Sequence, residues 1–253
     1  MARITRRLKD WAAERRSIGL LGQSVGFVPT MGALHAGHLS LLERARREND
    51  RVVLSIFVNP TQFNDPGDLE RYPRTLDRDV ELVGSLADHI LVPEPEEMYP
   101  ERFRYRVTET GESLALEGAH RPGHFDGVLT VVLKLLNLVQ PHRAYFGEKD
   151  RQQLELVQGM VKALHLDLEI VPCPTLRDPD GLALSSRNSR LSPEGRARAP
   201  RFPRILRGAP DAPTAAATLQ SEGFQVDYVE DRAGVRLGAV RIEGVRLIDN
   251  VPL

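Results

Sequence analysis

The sequence predicts an α/β protein, a parallel sheet flanked by helices and followed by a smaller α+β domain. Two observations predict it. Apolar strand-like runs alternate with helical stripes through the first two-thirds of the chain, and repeated strand–helix units imply parallel strands with right-handed crossovers. Around Pro172, Pro174, Pro179 and Gly181 the character changes to a connector, and short strand-like runs follow it. This divides the chain into residues 1–175 and 176–253.

The elements follow in order. Met1 to Arg16 is basic, lacks the apolar core of a signal peptide, and places Ile4, Leu8 and Trp11 at the spacing of a short surface helix. Val25–Val28 reads as a buried strand, followed by a glycine turn and a helix. Arg51–Val58 is a continuous apolar run of the kind buried on both faces. Residues 74–87 read as a helix after Pro73, and 89–92 as a short strand. Val128, Val131, Val132, Leu135, Leu136 and Val139 form a helical stripe. Residues 143–147 read as a strand, 150–165 as a helix and 167–171 as a strand. In the tail, Pro200, Pro203, Pro210 and Pro213 exclude a long helix, and 225–229, 239–242 and 245–248 read as strands.

Composition narrows the function. The chain has 253 residues, 41% hydrophobic, enough for one large or two modest cores. A formal net charge of −1 gives no global field for nucleic acid or an anionic membrane. One cysteine excludes an intrachain disulfide framework and suits a reducing cytoplasm. No apolar run approaches the roughly 18 residues of a membrane span. Arginine outnumbers lysine 30 to 4, so a lysine inside a motif points to a place where a compact ammonium is wanted.

The polar motifs follow the strands, where a parallel sheet binds ligands. After Val28, the run from Met31 to His38 combines Gly32 and Gly37 with His35 and His38 at a helix start. Unpaired N–H groups, the helix dipole and two hydrogen-bonding side chains make a phosphate site there. Zinc is the competing chemistry, but the three or four ligands it needs are absent nearby. After Val58, Asn59 and Gln62 either suit hydroxyl and carboxylate groups of a small polar substrate or build an Asn-Pro turn. After Phe146, Gly147 permits close approach, Lys149 offers a point charge to phosphate and Asp150 could accept from ribose hydroxyls; the plain alternative is a capped helix with a solvated lysine. Gln153 lies one turn on. Ser185, Ser186 and Arg187 form a phosphate clamp or a polar loop. In the loop from Gly118 to Gly127, His124 and Asp126 are either catalytic or structural.

Six motifs, in order over residues 25 to 191, resemble the pantothenate synthetase (pantoate–β-alanine ligase) family. They begin at Pro29 (PTMGALHAGH), Ser55 (SIFVNPTQF), Tyr72 (YPRTLD), Arg121 (RPGHFDGV), Ala144 (AYFGEKDRQQL) and Gly181 (GLALSSRN). His-x-Gly-His alone would place the chain only in the broad nucleotidyltransferase superfamily. The resemblance implies a Rossmann-like ATP- and pantoate-binding domain, a C-terminal lid and a homodimer. It implies ATP-dependent condensation of (R)-pantoate with β-alanine through pantoyl adenylate, releasing AMP and pyrophosphate, with Mg²⁺ accompanying ATP. By similarity His38, His35, Lys149 and Arg187 are catalytic. ATP would be bound by Met31, Gly32, Ala33, Leu34, His35, Ala36, Gly37 and His38, by Gly147, Glu148, Lys149 and Asp150, and by Leu176, Leu184, Ser185, Ser186 and Arg187. Gln62 and Gln153 would hold pantoate, Val131 and Val132 would pack its methyls, and Gln62 would also meet β-alanine. Nucleic acid and membrane partners are not implied. The tail departs from the family pattern: Pro200 and Pro203 interrupt a usual helix, and the segment from Tyr228 to Val245 is short. Arg78 replaces an acid of some members, so no metal ligand is assigned around Asp77–Asp79. The rivals are another adenylyl transferase of the superfamily and a non-catalytic nucleotide-binding regulator.

Overall fold

The computed structural model describes residues 2–253, apart from the side chain of Leu20; Met1 lies outside the described residues. The chain divides into two compact units, Met1–Gly147 with Gln152–Cys173, and Glu148–Arg151 with Pro174–Leu253.

The first unit is built on β1 (Arg3–Thr5), α1 (Leu8–Leu20), β2 (Val25–Thr30), α2 (Ala36–Glu48), β3 (Arg51–Ile56), α3 (Pro66–Glu70), α4 (Leu76–Val83), β4 (His89–Leu91), α5 (Pro95–Met98), α6 (Glu117–His120), α7 (His124–Val139), β5 (Arg143–Gly147), α8 (Arg151–Ala163) and β6 (Glu169–Cys173). Its six strands are parallel, in the order β1-β4-β3-β2-β5-β6. The apolar runs are buried on both faces. Successive residues fall into opposite cores: Phe27, Val53, Leu91 and Phe146 pack with α7 and α8, while Val28, Leu54, Ile90 and Tyr145 pack with α2 and α4.

From β2 the chain builds outward through β3 and β4 on one side, and β5 and β6 extend the other. The order reverses between β2 and β5. There only Gly26↔Arg143 and Phe27↔Ala144 pair, whereas β2 and β3 pair over six residues. The carboxyl ends of β2 and β5 therefore part, which is where such sheets receive ligands.

Several boundaries differ from expectation. The expected amino-terminal helix starts later: residues 3–5, with Ile4, form an edge strand, and α1 begins at Leu8 and carries Trp11, which is 1% exposed, its indole N–H donating to Leu138 O (2.8 Å). Residues 74–87 yield only Leu76–Val83, because Gly84 turns the chain out at φ 52°. The 128–139 stripe extends back to His124. Residues 148–150 form a 3₁₀ turn before α8, and the last strand lies two residues later than expected.

The second unit carries α9 (Pro193–Arg198), α10 (Arg201–Gly208), α11 (Ala212–Ser221) and an antiparallel sheet of β7 (Gln225–Arg232), β8 (Val235–Ile242) and β9 (Val245–Pro252). The prolines do break one long helix into three short ones. Pro193 and Pro213 sit in first turns and Pro200 caps α10, positions where a missing N–H costs nothing.

Candidate active site

The turn after β2 is shaped by side chains from other elements. Thr30 Oγ1 donates to Ser55 O (2.7 Å) and accepts from Gly32 N–H (3.2 Å). Gly32 has φ 81°, and a Cβ there would lie 3.0 Å from Ile56 Cγ2 and 3.1 Å from Asp79 Oδ2. Ala33 holds φ 51° without being glycine. The backbone is kept there by Asp79, 1% exposed, whose carboxylate accepts from Ala33 N–H (2.9 Å), Leu34 N–H (2.8 Å) and Thr75 Oγ1 (3.1 Å).

His35 and His38 cap α2 reciprocally. Gly37 N–H donates to His35 Nδ1 (3.1 Å), and His35 N–H donates to His38 Nδ1 (3.4 Å). A backbone N–H can only donate, so each Nδ1 carries a lone pair and the proton of each neutral ring sits on Nε2. The rings stack at 4.1 Å between centroids. The turn thus presents two Nε2–H donors of defined tautomer beside the helix amino terminus.

The 3₁₀ turn Pro60–Gln62 follows β3. Asn59 holds this turn together: it is 1% exposed, and protein groups bond both ends of its amide. Gly127 O can only accept, so the Asn59 atom 3.2 Å away is Nδ2. Tyr99 OH (2.8 Å) and Thr61 Oγ1 (3.0 Å) donate to the other end, Oδ1. Burial pushes the Tyr99 pKa up to about 12, which keeps its hydroxyl a donor. Asn59 Nδ2 also donates to Gln62 Oε1 (3.0 Å), leaving Gln62 Nε2 to face Met31 Sδ at 3.2 Å. α7 packs tightly on this turn, for a Cβ at Gly127 would lie 2.4 Å from Thr61 O. Val131 and Val132, farther along α7, are buried.

Adjacent glutamines on α8 do different work. Gln152 is buried, donating to Glu112 O and Ala115 O and accepting from Glu117 N–H, while Gln153 is only partly buried.

In the second unit, Asn250 Nδ2 donates to Glu148 O (2.8 Å) and Lys149 O (3.0 Å), anchoring that turn to β9. Lys149 is partly exposed and Asp150 exposed. The hairpin 176–184 brings Leu176 and Leu184 together, with Leu184 N–H donating to Leu176 O (3.0 Å). Arg177 fixes this hairpin by a bidentate pair with buried Asp249 (2.7 and 2.8 Å). Ser185 caps the 3₁₀ turn Ser186–Arg190 by accepting from Arg187 N–H (3.2 Å). No group of three or more His, Cys, Asp or Glu able to hold a metal occurs among the described residues, and no helix is long and apolar enough to cross a membrane.

The pantoate-beta-alanine ligase family model matches residues 2–252. The chain belongs to this family. It is 54% identical over 254 residues to the pantothenate synthetase of Bdellovibrio bacteriovorus, covering 100% of both chains. The crystal structure of pantoate-beta-alanine ligase from Francisella tularensis, complexed with beta-gamma ATP and beta-alanine, is similar with a TM-score of 0.95 and 41% identity over 100% of this chain and 98% of that one. Pantothenate synthetase from Thermus thermophilus gives a TM-score of 0.90 and 44% identity, covering 99% of each chain.

Three supporting residues escaped the motif reading. Asp79 shapes the histidine turn, Asn250 anchors the 148–149 turn, and Asp249 anchors the hairpin of Leu176 and Leu184. A carboxylate three residues into a helix reads as a dipole partner, and the other two read as the end of a strand.

Proposed function

We propose that the protein condenses pantoate with β-alanine at the expense of ATP, through an enzyme-bound pantoyl adenylate. The full-length family match carries this reading. A pantoate carboxylate oxygen bonds to the α-phosphorus as the bond to pyrophosphate breaks. The β-alanine amine then bonds to the acyl carbon, the bond to AMP oxygen breaks, and the amine proton leaves. Neither step needs a protein nucleophile; positioning and fixed positive charge suffice.

The His35 and His38 Nε2–H groups, Lys149 and Arg187 would stabilise charge on the phosphates. Met31–His38, Gly147–Asp150, Leu176 and Leu184–Arg187 would bind ATP, with Asp150 on ribose and Leu176 near adenine. Gln62 and Gln153 would hold pantoate, with Val131 and Val132 against its methyls. Asn59 Nδ2 takes one lone pair of Gln62 Oε1 and so sets which way the Gln62 amide points, with Nε2 as its donor end. That donor suits a hydroxyl or carboxylate oxygen of the substrate. Mg²⁺ would arrive on the nucleotide, held by phosphate and water, as is usual for this ion. Residues 176–253 would act as the lid, and we take the enzyme to be a cytoplasmic homodimer.

Pyrophosphate exchange tests the two-step reading. Labelled pyrophosphate is expected to enter ATP with pantoate and Mg²⁺ present and β-alanine absent. A transferase to a nucleotide acceptor would show no pantoate dependence, a regulator no exchange, and exchange that strictly requires β-alanine would contradict the adenylate. Lys149→Arg is expected to lower ATP affinity or turnover at least about tenfold, roughly 1.4 kcal/mol, because the planar fork places its charge differently. Unchanged kinetics would return Lys149 to the surface.

A further inference from the structure

His124, the first residue of α7, is 6% exposed and lies between two groups of fixed polarity. Its Nδ1 is 2.9 Å from Gln62 O. A carbonyl only accepts, so Nδ1 carries the proton. Its Nε2 is 3.0 Å from Arg121 Nη1. A guanidinium only donates, so Nε2 carries the lone pair. Both ring positions are thereby assigned: His124 is neutral and protonated on Nδ1, the tautomer opposite to His35 and His38. Arg121 Nη2 donates to the same carbonyl at 3.3 Å, and its Nη1 is 3.6 Å from Glu117 Oε2.

With its proton given to a carbonyl and its lone pair facing an arginine, the ring is poorly placed to be a general acid or base. We infer that His124, supported by Arg121, is a positioning residue that fixes Gln62 for pantoate. Gln62 is held twice: its carbonyl by His124 and Arg121, its side-chain oxygen by Asn59. The amide nitrogen is thereby given a defined direction, aimed by α7, the helix that also carries Val131 and Val132. The inference rests on Gln62 being a pantoate ligand.

The test combines kinetics with a spectrum. KM for pantoate, KM for ATP and kcat are measured for Gln62→Ala, His124→Ala, His124→Asn and the Gln62→Ala/His124→Ala double variant. His124→Ala is expected to raise pantoate KM about tenfold or more while ATP KM stays within about twofold. His124→Asn, with an amide nitrogen near the place of Nδ1, should return pantoate KM to within about threefold of wild type. In the double variant, loss of His124 should add no more than about twofold to the Gln62→Ala defect. ¹⁵N spectra, assigned with His124→Asn, should show His124 protonated on Nδ1.

Equal rises for ATP and pantoate, additive losses, or an Nε2–H spectrum would overturn the positioning role while leaving Gln62 in place. A Gln62→Ala enzyme whose pantoate KM is unchanged would instead remove Gln62 from the pantoate site, and the inference with it. Should His124→Ala not fold, the asparagine variant and the wild-type spectrum decide.

Discussion

Replacing His38 with alanine is expected to slow pantoyl adenylation by about 10²–10³, roughly 3–4 kcal/mol, the scale of one fixed donor lost from developing charge. The size of the effect separates two jobs of the same ring. Its Nδ1 accepts from His35 N–H at 3.4 Å, a long bond at a helix start. Losing that cap interaction costs about 1 kcal/mol or less of stability. The Nε2–H donor has the larger effect, and only on the reaction. Pyrophosphate exchange should therefore collapse while the melting temperature barely moves. A His38→Ala enzyme retaining more than about a third of the wild-type exchange rate would deny the ring its catalytic role. His35 calls for a different substitution, because its cap bond is a better 3.1 Å. Serine is a preferred N-cap, so His35→Ser should keep α2 and still lose the donor.

The parts of the fold legible in the sequence are those whose signal is local. The run Val52–Ile56 is apolar at every position but Ser55, and burial on both faces is what makes a strand read so. The helical stripe of α7 and the glycine turn into α2 are equally local. The first residues misled for a physical reason. Ile4, Leu8 and Trp11 have helical spacing, and Leu8 and Trp11 do lie on α1, but Ile4 is 43% exposed on an edge strand. A three-residue edge strand carries too few side chains to declare its period. The shift of β6 has a related cause. Pro172 argues against a strand interior, yet β6 is an edge strand, where a missing N–H is tolerated.

The candidate site divides in the same way. Groups that would touch a ligand stand in compact motifs after strand ends, so spacing reveals them. Groups that hold those motifs lie far off in sequence. Asp79 bonds to backbone 45 and 46 residues earlier, and Asn59 to a carbonyl 68 residues later. Asn59 also shows that residue type alone is ambiguous: an amide beside Gln62 fits a substrate contact and an Asn-Pro turn equally well. Only the partners on its two ends show that one amide serves the other.

The Asp79 contacts set the second large expectation. In Asp79→Asn, a nitrogen at the Oδ2 position would set an N–H donor against Ala33 N–H. Turning the amide over would instead set that donor against Leu34 N–H and leave Thr75 Oγ1 without the oxygen it donates to. Either orientation leaves a buried N–H unpaired, about 1–3 kcal/mol, with the strained backbone at Ala33 adding to the loss. A total of about 2–4 kcal/mol of stability should be lost, and the turn before His35 should loosen. Exchange should fall by more than the melting shift alone accounts for, because the two histidine donors depend on that turn. The compensating substitution is Ala33→Gly. Ala33 sits at φ 51°, where glycine has no steric penalty, so this change in the Asp79→Asn background should recover about 1 kcal/mol and part of the exchange rate. The measurement is thermal melting beside pyrophosphate exchange for the single and double variants. An Asp79→Asn enzyme with wild-type melting and exchange would show that the turn holds its shape without this carboxylate. Lost exchange with no recovery from Ala33→Gly would point instead to the negative charge of Asp79 itself.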